Sequence, residues 1–453
     1  MEKLKLSEIA SACKGVSSTE LEITGVAIDT RKVKPGDLFI CIKGERFDAH
    51  EFAKTAIENG AAAVMIHRDI DFDCPYVKVE DTSKALLALS GYYRSKFNIP
   101  LVALTGSVGK TTTKEFTYLV VNSQFNAIKT IGNLNNEIGV PQMLFQLDNS
   151  VEAAVIEMGM NHFGEIHNLT TAAKPNVALI TNIGVSHIEN LGSREGILKA
   201  KLEILDGLEK GSPLILNGDN DLLRTVKNDD YKLYFYGIDN GDFKAENIVE
   251  ENGSTSFDIS CFGCKQNVTI PTIGIHNVYN ALSAFAVGYV LGIDSRKCAD
   301  ALSQYQPEGM RQKSVSVGGI TVIEDCYNAS PDSMKAAIST LVNTVGERKI
   351  AVLSDMLELG DYSVNAHRQV GEIVAENNID FLFTFGSASV DIANRAKELG
   401  MKNVFHFSDK DEMATALLDT IKAGDTLIFK ASRGMKLEEV IRKVYNDWEK
   451  TNE

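Results

Sequence analysis

A glycine-rich loop between an apolar run and a helical pattern constrains this chain more than any other feature. The run IPLVALT (99–105) is typical of a buried strand, and GSVGKTTT (106–113) and the helix-compatible KEFTYLVV (114–121) follow it directly. In this order, glycines let backbone amides face an anion, and the helix N-terminus adds positive potential. A lysine then reaches the outer phosphates and a hydroxyl can hold Mg²⁺. The sequence therefore predicts a triphosphate site at the end of a buried strand.

The loop is a shortened variant of the common phosphate loop. The usual G-x-x-x-x-G-K-[ST] spacing would need a glycine at Leu104, whereas the first glycine here is Gly106. A glycine turn with a coincidental lysine is the alternative, but GKTTT in a strand–turn–helix context favours ATP binding. We expect phosphate contacts from the whole loop, with Lys110 also catalytic: Gly106, Ser107, Val108, Gly109, Lys110, Thr111 and Thr112.

Three groups of strand and helix patterns predict an α/β protein with three domains. The runs VEAAVIEMG (151–159) and NVALITNIG (176–184) alternate with helical patterns and predict a central phosphate-loop domain with a parallel sheet, residues 99–312. Ligand sites are expected at the carboxyl ends of its strands. A later series that includes KIAVLSDM (349–356) and DTLIFK (425–430) predicts a Rossmann-like C-terminal α/β domain, residues 313–453. The mixed short patterns of residues 1–98 predict a small N-terminal α/β domain.

Composition excludes several classes of partner. Acidic residues outnumber Lys and Arg by 61 to 46, and the formal charge of −15 disfavours a nucleic-acid partner. Seven cysteines, an odd number, are not typical of a disulfide framework and fit a reducing compartment. Neither a signal peptide nor an apolar stretch long enough to span a bilayer is apparent. We expect a cytoplasmic monomer that binds no nucleic acid and is not embedded in a membrane.

Two residues at strand ends are candidate metal ligands. Glu157 ends the strand-like VIEMG, and His187 follows ALITNIG. A carboxylate and an imidazole beside a triphosphate suit a hard divalent cation, with Mg²⁺ and Mn²⁺ both possible. A histidine in a loop is more often structural, so the residues alone leave that alternative open. His162 and His167 are expected to be ordinary surface or packing histidines.

The only C-x-x-C string, Cys261-Phe-Gly-Cys264, falls between two strand-like runs, and Phe-Gly is typical of a hairpin turn. A zinc site would need two further ligands, which the neighbouring sequence lacks. We therefore expect structural cysteines rather than a metal site.

Lys201 lies in the apolar stripe of a helical pattern. In REGILKAKLEILDGLEK (194–210) that stripe contains Ile197, Ile204, Leu205 and Leu208, and helical spacing adds Lys201 to it. Burial favours the neutral amine, which can react with carbon dioxide to give a carbamate. A lysine whose amine reaches solvent along its apolar stem is the alternative.

Several strings resemble the signatures of one enzyme superfamily. TGSVGKTTTKE (105–115) is similar to the T-G-x-x-G-K-T-T-x-K-E signature of the Mur ligases, and NIGVSHIENLG (182–192) to their N-I-x-x-x-H-x-x-x-x-G motif. The other matches, in family order, are DTRKVKPGDLF (29–39), GNLNNEIGVP (132–141), GIHNVYNA (274–281), DCYNASP (325–331), SDMLELG (354–360) and SRGM (432–435). Ser354 stands where the family usually has glycine. The resemblance covers nearly the whole chain.

The resemblance implies roles for individual residues. It implies one Mg²⁺ held by Thr111 and Glu157. It implies a second held by His187 and a carbamylated Lys201, both of them catalytic. Further ATP contacts are implied for Asn277, Arg311 and Asp325, with an ion pair between domains as the alternative for the last two. A UDP-substrate site is implied at Thr30, Arg31, Lys43, Gly44, Asp48, His50, Asn133, Asn135 and Asn136, and a D-alanyl-D-alanine site at Tyr327, Asn328, Asp355 and Arg433.

The activity that the resemblance implies is amide-bond formation at the expense of ATP. A UDP-N-acetylmuramoyl-tripeptide, bound by the N-terminal domain, would be activated as an acyl phosphate, and D-alanyl-D-alanine would attack it. A ligase that adds the third residue of the peptide, and cyanophycin synthetase, are alternatives within the superfamily. A nucleotide-switched binding module is the alternative outside enzymes, because phosphate-loop folds also serve as regulators.

Overall fold

Three β-sheets follow one another along the chain in a computed structural model, which describes residues 1–44, 47–251, 253–307 and 309–452. They have five, nine and six strands, and strands β1 and β3 form a separate pair. This arrangement confirms the predicted three-domain α/β fold. Throughout the described ranges, no helix combines the length and apolarity needed to cross a membrane. Within those ranges the seven cysteines are free thiols.

The N-terminal domain is built on the five-stranded sheet, in the order β2-β7-β6-β5-β4, with β4 to β7 parallel. The strands are β1 (Leu4–Lys5), β2 (Val16–Ser17), β3 (Glu22–Ile23), β4 (Gly25–Ala27), β5 (Asp37–Ile40), β6 (Ala63–Ile66) and β7 (Tyr76–Lys78). The helices are α1 (Leu6–Ala12), α2 (Ala53–Glu58) and α3 (Thr82–Arg94). Every residue of β5 and β6 is buried, as expected for parallel strands covered on both faces.

Helix α3 joins this domain to the next. Its Asp81 cap accepts hydrogen bonds from the amides of Ser83 and Lys84, which fixes where the helix begins. Near its other end, the hydroxyl of Tyr93 donates to the Leu147 carbonyl at 2.6 Å, and Nε of Arg94 donates to the Ala173 carbonyl at 3.0 Å. Both side chains are buried, so the end of α3 is held by the central domain.

The central domain contains the nine-stranded sheet, in the order β16-β15-β14-β13-β12-β11-β8-β10-β9. The strands are β8 (Leu101–Thr105), β9 (Ala127–Lys129), β10 (Ala153–Glu157), β11 (Val177–Ile180), β12 (Pro213–Asn217), β13 (Lys232–Gly237), β14 (Phe243–Glu251), β15 (Ser254–Cys261) and β16 (Cys264–Ile270). The helices are α4 (Lys110–Asn122), α5 (Gly139–Leu144), α6 (Glu165–Ala173), α7 (Ile188–Leu191), α8 (Arg194–Leu202), α9 (Ile275–Val290) and α10 (Ser295–Leu302).

Strand order explains why the site forms where it does. Parallel strands β10 and β11 pair with opposite sides of β8, so the carboxyl ends of all three meet at one edge of the sheet. The prediction that the central sheet is parallel is correct for β8 to β14. Strand β15, however, runs antiparallel to both of its neighbours, β14 and β16. The reason is a two-residue turn at Phe262 and Gly263, both with positive φ, because such a turn joins only antiparallel neighbours.

The C-terminal domain has the six-stranded sheet, in the order β17-β18-β22-β19-β20-β21, parallel except for β17. The strands are β17 (Lys313–Val317), β18 (Ile320–Asp325), β19 (Lys349–Ser354), β20 (Phe381–Phe385), β21 (Val404–Phe407) and β22 (Thr426–Lys430). The helices are α11 (Pro331–Asn343), α12 (Ser363–Glu376), α13 (Val390–Glu398), α14 (Lys410–Thr420) and α15 (Glu438–Asn452). A hydrogen bond of 2.9 Å from Asn343 Nδ2 to Glu250 Oε2 joins α11 to β14 of the central domain.

Candidate functional site

The loop between β8 and α4 needs its glycines for steric reasons. A Cβ atom on Gly106 would lie 1.8 Å from Oγ1 of Thr181, which itself donates a hydrogen bond to the Val108 carbonyl at 2.7 Å. Gly109 has a left-handed backbone (φ 81°) immediately before α4. The backbone therefore turns tightly at the end of β8 and presents the N-terminus of a 13-residue helix. The first amides of a helix have no acceptor within it, so this end can bind an anion.

Asn182, which was not among the residues predicted from the sequence, holds the loop in place. Its Oδ1 accepts hydrogen bonds from the backbone amides of Ser107 and Val108, at 3.1 and 2.9 Å. The amine of Lys110 turns back and donates to the carbonyl of Gly106 at 2.8 Å. Burial lowers the pKa of Lys110 from its ordinary value, although Glu157 acts in the opposite direction.

We expect Gly106→Ala to weaken nucleotide binding at least about tenfold and to lower the free energy of unfolding by about 1–3 kcal/mol, because the new methyl group would displace Thr181 in a packed interior. Gly211→Ala is the matched control: Gly211 has φ 85°, but no atom lies within 4 Å of the position that its Cβ would take, so only backbone strain should appear. Calorimetric ADP titration and thermal unfolding would measure both. Equal losses of nucleotide affinity in the two variants would contradict the steric explanation.

Glu157 ends β10 with one carboxylate oxygen that lacks a partner. Its side chain is 2% exposed, and Oε1 accepts a hydrogen bond of 2.9 Å from Asn135 Nδ2. Oε2 is buried and has no hydrogen-bond partner among the described residues. An unpaired buried carboxylate oxygen is costly, and oxygen donors suit Mg²⁺. With the Thr111 hydroxyl at the start of α4 lining the same cavity, the residues present therefore fit a divalent cation.

His187 also lines this cavity, from a strained backbone position before α7. Its φ of 64° is left-handed, which is uncommon for a residue other than glycine. Nδ1 lies 2.7 Å from Oε2 of Glu358 in the C-terminal domain, although the angles do not satisfy a hydrogen bond. The contact with His187 lowers the pKa of Glu358.

Lys201 is buried in α8, as its position in the apolar stripe predicted. The side chain is 1% exposed, and no hydrogen bond or ion pair joins it to any residue in the described part of the chain. Its pKa lies well below the ordinary value because of burial and, second, because of the positive charge of Lys110. Burial therefore favours the neutral form of this amine over the charged form. The predicted helix is shorter than expected, because α8 ends at Leu202 and the chain continues as a 3-10 turn, Glu203–Gly207.

A cavity of about 940 Å³ lies between the central and C-terminal domains and brings most of the candidates together. The predicted residues that line it are Ser107, Val108, Gly109, Lys110, Thr111, Thr112, Asn135, Asn136, Glu157, His187, Asn277, Arg311, Asp325, Tyr327 and Asn328. In this cavity, residues at the carboxyl ends of β8, β10 and β11 face residues at the carboxyl end of β18. The cavity can therefore hold a nucleotide and a second reactant.

The predicted adenine contact, Asn277, lies in the first turn of α9. Its Nδ2 donates to the Ile273 carbonyl at 2.8 Å, so the amide also orders the turn before the helix. Nearby, Asp219 accepts a hydrogen bond of 2.8 Å from the hydroxyl of Tyr279. Sequence reasoning missed Asp219 and Tyr279, both of which line the cavity. No local pattern marks this pair, because 60 positions separate them.

Arg311 and Asp325 approach the cavity from the C-terminal side. The guanidinium carbon of Arg311 lies 3.9 Å from the centre of the Tyr327 ring, a cation–π contact. Oδ2 of Asp325 accepts a hydrogen bond of 2.7 Å from Nζ of Lys430, and both side chains are buried. The ion pair considered for Asp325 thus exists, but it joins neighbouring strands of one domain rather than two domains.

Two residues expected at the dipeptide site do not line the cavity. Oδ1 of Asp355 accepts hydrogen bonds from the backbone amides of Ser389 and Ala388, at 2.7 and 3.2 Å, and so orders the loop before α13. Arg433 pairs with Glu438 at 3.0 Å. Of the four candidates for that site, the structure brings only Tyr327 and Asn328 to the nucleotide loop.

A second cavity, of about 410 Å³, lies where the N-terminal domain meets the start of α5. Of the predicted UDP-substrate residues, Thr30 and Gly44 line it, together with apolar side chains such as Phe47 and Ile138. Arg31 pairs at 2.7 Å with Asp29, which also lines the cavity.

His50 is buried, and both of its ring nitrogens have partners. Nδ1 lies 2.6 Å from Oδ1 of Asp48, and Nε2 accepts a hydrogen bond of 3.1 Å from the backbone amide of His67. The His50 ring therefore orders this loop and has no nitrogen left for a ligand in this arrangement. Asp48 also pairs with Arg68, and Lys43 forms a backbone bridge to Asp48.

The asparagines after β9 have different roles. Asn135 orients Glu157, whereas Oδ1 of Asn136 accepts a hydrogen bond of 2.9 Å from the Gly139 amide and so orders the turn before α5. Asn133 is exposed. The two histidines expected at the surface or in packing behave as predicted: His162 and His167 are exposed, with His167 paired to Asp206 at 2.7 Å. No cluster of three or more potential metal-ligating His, Cys, Asp or Glu side chains was found within the described ranges.

Comparison with known proteins identifies relatives over nearly the full length. Family models match residues 22–93 (Mur ligase family, catalytic domain), 104–288 (Mur ligase middle domain) and 310–433 (Mur ligase, glutamate ligase domain). The UDP-N-acetylmuramoyl-tripeptide--D-alanyl-D-alanine ligase of Bacillus subtilis is 40% identical over 98% of each chain. The crystal structure of MurF from Acinetobacter baumannii has a TM-score of 0.93 and 32% identity, covering 98% of this chain and 99% of its own. MurF from Thermotoga maritima, in complex with ADP, has a TM-score of 0.85 and 28% identity over 94% and 98% of the chains.

Proposed function

The chain belongs to the Mur ligase family, and we propose that it is the ATP-dependent ligase that adds D-alanyl-D-alanine to UDP-N-acetylmuramoyl-tripeptide. The observation that carries the proposal is full-length similarity to ligases of that name combined with one cavity that contains the phosphate loop and the C-terminal domain residues. ADP bound to the Thermotoga relative supports ATP as the nucleotide.

The reaction has two steps. An oxygen of the terminal carboxylate of the tripeptide attacks the γ-phosphorus of ATP, the bond from that phosphorus to the β,γ-bridging oxygen breaks, and ADP leaves. The neutral amine of D-alanyl-D-alanine then attacks the carbonyl carbon of the acyl phosphate. An amide bond forms, inorganic phosphate is expelled, and the amine releases a proton.

The phosphate loop would stabilise the first step. The N-terminus of α4 faces the phosphates, and the Lys110 amine, now donating to the Gly106 carbonyl, would turn to the transferred phosphoryl group. Arg311 lines the opposite wall with Tyr327 and Asn328. Because Tyr327 and Asn328 belong to the C-terminal domain, closure of that domain would exclude water that could otherwise hydrolyse the acyl phosphate.

Two Mg²⁺ sites are part of the proposal. Thr111 and Glu157 would hold one ion, and His187 with a carbamylated Lys201 the other. Bound Mg²⁺ supplies neutralisation of the negative charge on the phosphates. The carbamate forms when the nitrogen lone pair of neutral Lys201 attacks carbon dioxide, one C=O π bond opens, and a proton is released. The unpaired oxygen of Glu157 and the burial of Lys201, which lowers the pKa of its amine, support these assignments.

We assign the second cavity, with Thr30 and Gly44, to the UDP end of the substrate, and Tyr327 and Asn328 to the dipeptide. We further propose a cytoplasmic monomer, and the free thiols within the described ranges support a reducing compartment. Sedimentation of the purified chain with and without ATP would test the monomer.

The defining experiment measures phosphate release with ATP, Mg²⁺ and a UDP-N-acetylmuramoyl-tripeptide, with and without D-alanyl-D-alanine. Tripeptides that end in lysine and in diaminopimelate form separate arms. Release that needs the dipeptide is expected. Turnover of ATP that is independent of D-alanyl-D-alanine would contradict the proposal. Phosphate release that instead needs a UDP-N-acetylmuramoyl-dipeptide and a single amino acid, tested in a further arm, would favour the ligase that adds the third residue.

We expect Arg311→Ala to lower kcat about 10²-fold while the affinity for the UDP-tripeptide stays unchanged, because loss of one preorganised donor affects mainly the charged transition state. Asp325→Asn should behave similarly. Asp325→Ala is a poorer test, since it leaves the buried Lys430 unpaired. Calorimetry would give binding and a coupled ADP assay the rate, with the exposed Arg296→Ala as control. Abolished UDP-tripeptide affinity with normal ATP affinity would make the assignment wrong.

A further inference from the structure

One contact between the central and C-terminal domains reaches His187. Nδ1 of His187, before α7, lies 2.7 Å from Oε2 of Glu358, in the loop after β19. The backbones also meet at this junction. Helix α7 packs against the 3-10 turn Gly360–Tyr362, and a Cβ on Gly360 would lie 3.2 Å from Cγ of Glu189. The loop that carries Glu358 is therefore seated directly over the loop that carries His187.

Both residues of the contact have strained backbones. His187 has φ 64° and Glu358 has φ 62°, in the left-handed region that favours glycine. Non-glycine residues in this region persist where the surroundings enforce them, and they cluster at functional sites. Here two such residues, distant in the sequence, have their side chains in contact. Glycine at either position would relieve the strain but would remove a side chain that reaches across the domain boundary.

Stability of the fold does not explain the contact. The Glu358 side chain is 56% exposed, and exposed ion pairs contribute little to stability. The chemistry of the pair suggests a different role. A histidine that holds a cation through one ring nitrogen is usually oriented at the other by a carboxylate, which fixes the tautomer and the direction of the ring. With Glu358 at Nδ1, the Nε2 of His187 remains for a ligand.

We propose that Glu358 is a positioning residue, which fixes the His187 ring through Nδ1 when the C-terminal domain closes and thereby completes the cation site only in the closed enzyme. The inference rests on the proposed role of His187 in holding a cation. Its consequence is a coupling of two events: the second cation is held tightly only when the domain that excludes water is in place. Hydrogen bonds at such sites are often poorly aligned without ligands, in agreement with the angles of this contact.

The test measures binding of Mn²⁺ to the full chain by electron paramagnetic resonance, in the presence of a non-hydrolysable ATP analogue. Glu358→Gly removes the carboxylate, and because glycine adopts the left-handed backbone without strain, any loss of binding cannot be attributed to added backbone strain. We expect it to weaken the binding of one Mn²⁺ about 10- to 100-fold. Glu358→Asp, which keeps a shorter carboxylate, should fall between Glu358→Gly and the wild type. Glu376→Gln, an exposed carboxylate at the end of α12, is the control and should bind Mn²⁺ normally.

Kinetics give an independent readout, because Glu358→Gly should lower kcat without changing KM for the UDP-tripeptide. His187→Ala separates the inference from its premise. If His187→Ala weakens Mn²⁺ binding and Glu358→Gly does not, the positioning role is wrong while the proposed cation site stands. If His187→Ala binds Mn²⁺ as the wild type does, the cation role of His187 fails and the inference fails with it. Alanine lacks the carboxylate but keeps the strained backbone. If Glu358→Ala binds Mn²⁺ poorly and Glu358→Gly binds it normally, the loss comes from backbone strain and not from the missing carboxylate, and the positioning role is wrong.

Discussion

Lys201→Ala is expected to lower the ligase rate by about 10³-fold or more, because removal of a cation ligand withdraws several kcal/mol of charge stabilisation from phosphoryl transfer. The fold should survive, since the amine of Lys201 has no hydrogen bond or ion pair within the described residues that would be broken. Acetate or formate should restore part of the rate by filling the space of the carbamate. A coupled ADP assay with increasing acid would measure the rescue.

Two further variants make this test specific to the amine. Lys199→Ala changes an exposed lysine of the same helix and should be nearly neutral. Lys201→Met keeps the stem and removes the polar head, so it should raise the free energy of unfolding while it abolishes activity, because a buried amine is costly. Near-normal ligase activity of Lys201→Ala without added acid would rule out the carbamate.

The loop and the strand ends could be predicted because their signals are local. The order of strand, glycine turn, lysine and helix lies within one short segment, and the structure has β8, the turn and α4 in that order. The ends of β10 and β11 converge on this loop because parallel strands with right-handed crossovers leave no other arrangement. Helical spacing predicted that Lys201 lies in the apolar stripe but left open whether its amine reaches solvent, and the structure has the side chain buried.

The partners of these residues could not be predicted, because each contact joins distant parts of the chain. Asn182 supports the loop from 74 positions away, and Lys430 meets Asp325 across 105. Glu358 reaches His187 only because the C-terminal domain packs on the central one. No periodicity or spacing in a single sequence encodes such contacts.

Two residues to which the resemblance gives direct roles have hydrogen-bond partners within the protein. Asp355 and His50 match family positions, yet each engages its polar atoms with neighbouring backbone or carboxylate groups. A motif records that a residue type is required at a position. It does not separate a side chain that contacts the substrate from one that orders the loop beside it, and hydrogen-bond partners make that distinction.

Glu157→Gln is expected to lower the ligase rate about 10³-fold with no loss of stability. A large loss of rate together with unchanged stability is what identifies a cation ligand. The variant retains an oxygen that can accept from Asn135 Nδ2, but it replaces the unpaired Oε2 with an amide that cannot ligate Mg²⁺. Loss of that charge stabilisation costs several kcal/mol in the transition state, about tenfold for each 1.4 kcal/mol. Removing a buried carboxylate charge whose Oε2 has no hydrogen-bond partner among the described residues should leave the free energy of unfolding equal or higher.

Single-turnover phosphate release and thermal unfolding would measure the two effects of Glu157→Gln. Glu152→Gln, an exposed residue just before the same strand, is the control for a general effect of charge on β10. Glu157→Asp keeps the charge but shortens the reach, so it should retain more activity than Glu157→Gln, especially with the more adaptable Mn²⁺. If Glu157→Gln instead unfolded at lower temperature and kept its rate per folded molecule, Glu157 would be a structural carboxylate, and the cation would have to be held by other residues of the cavity.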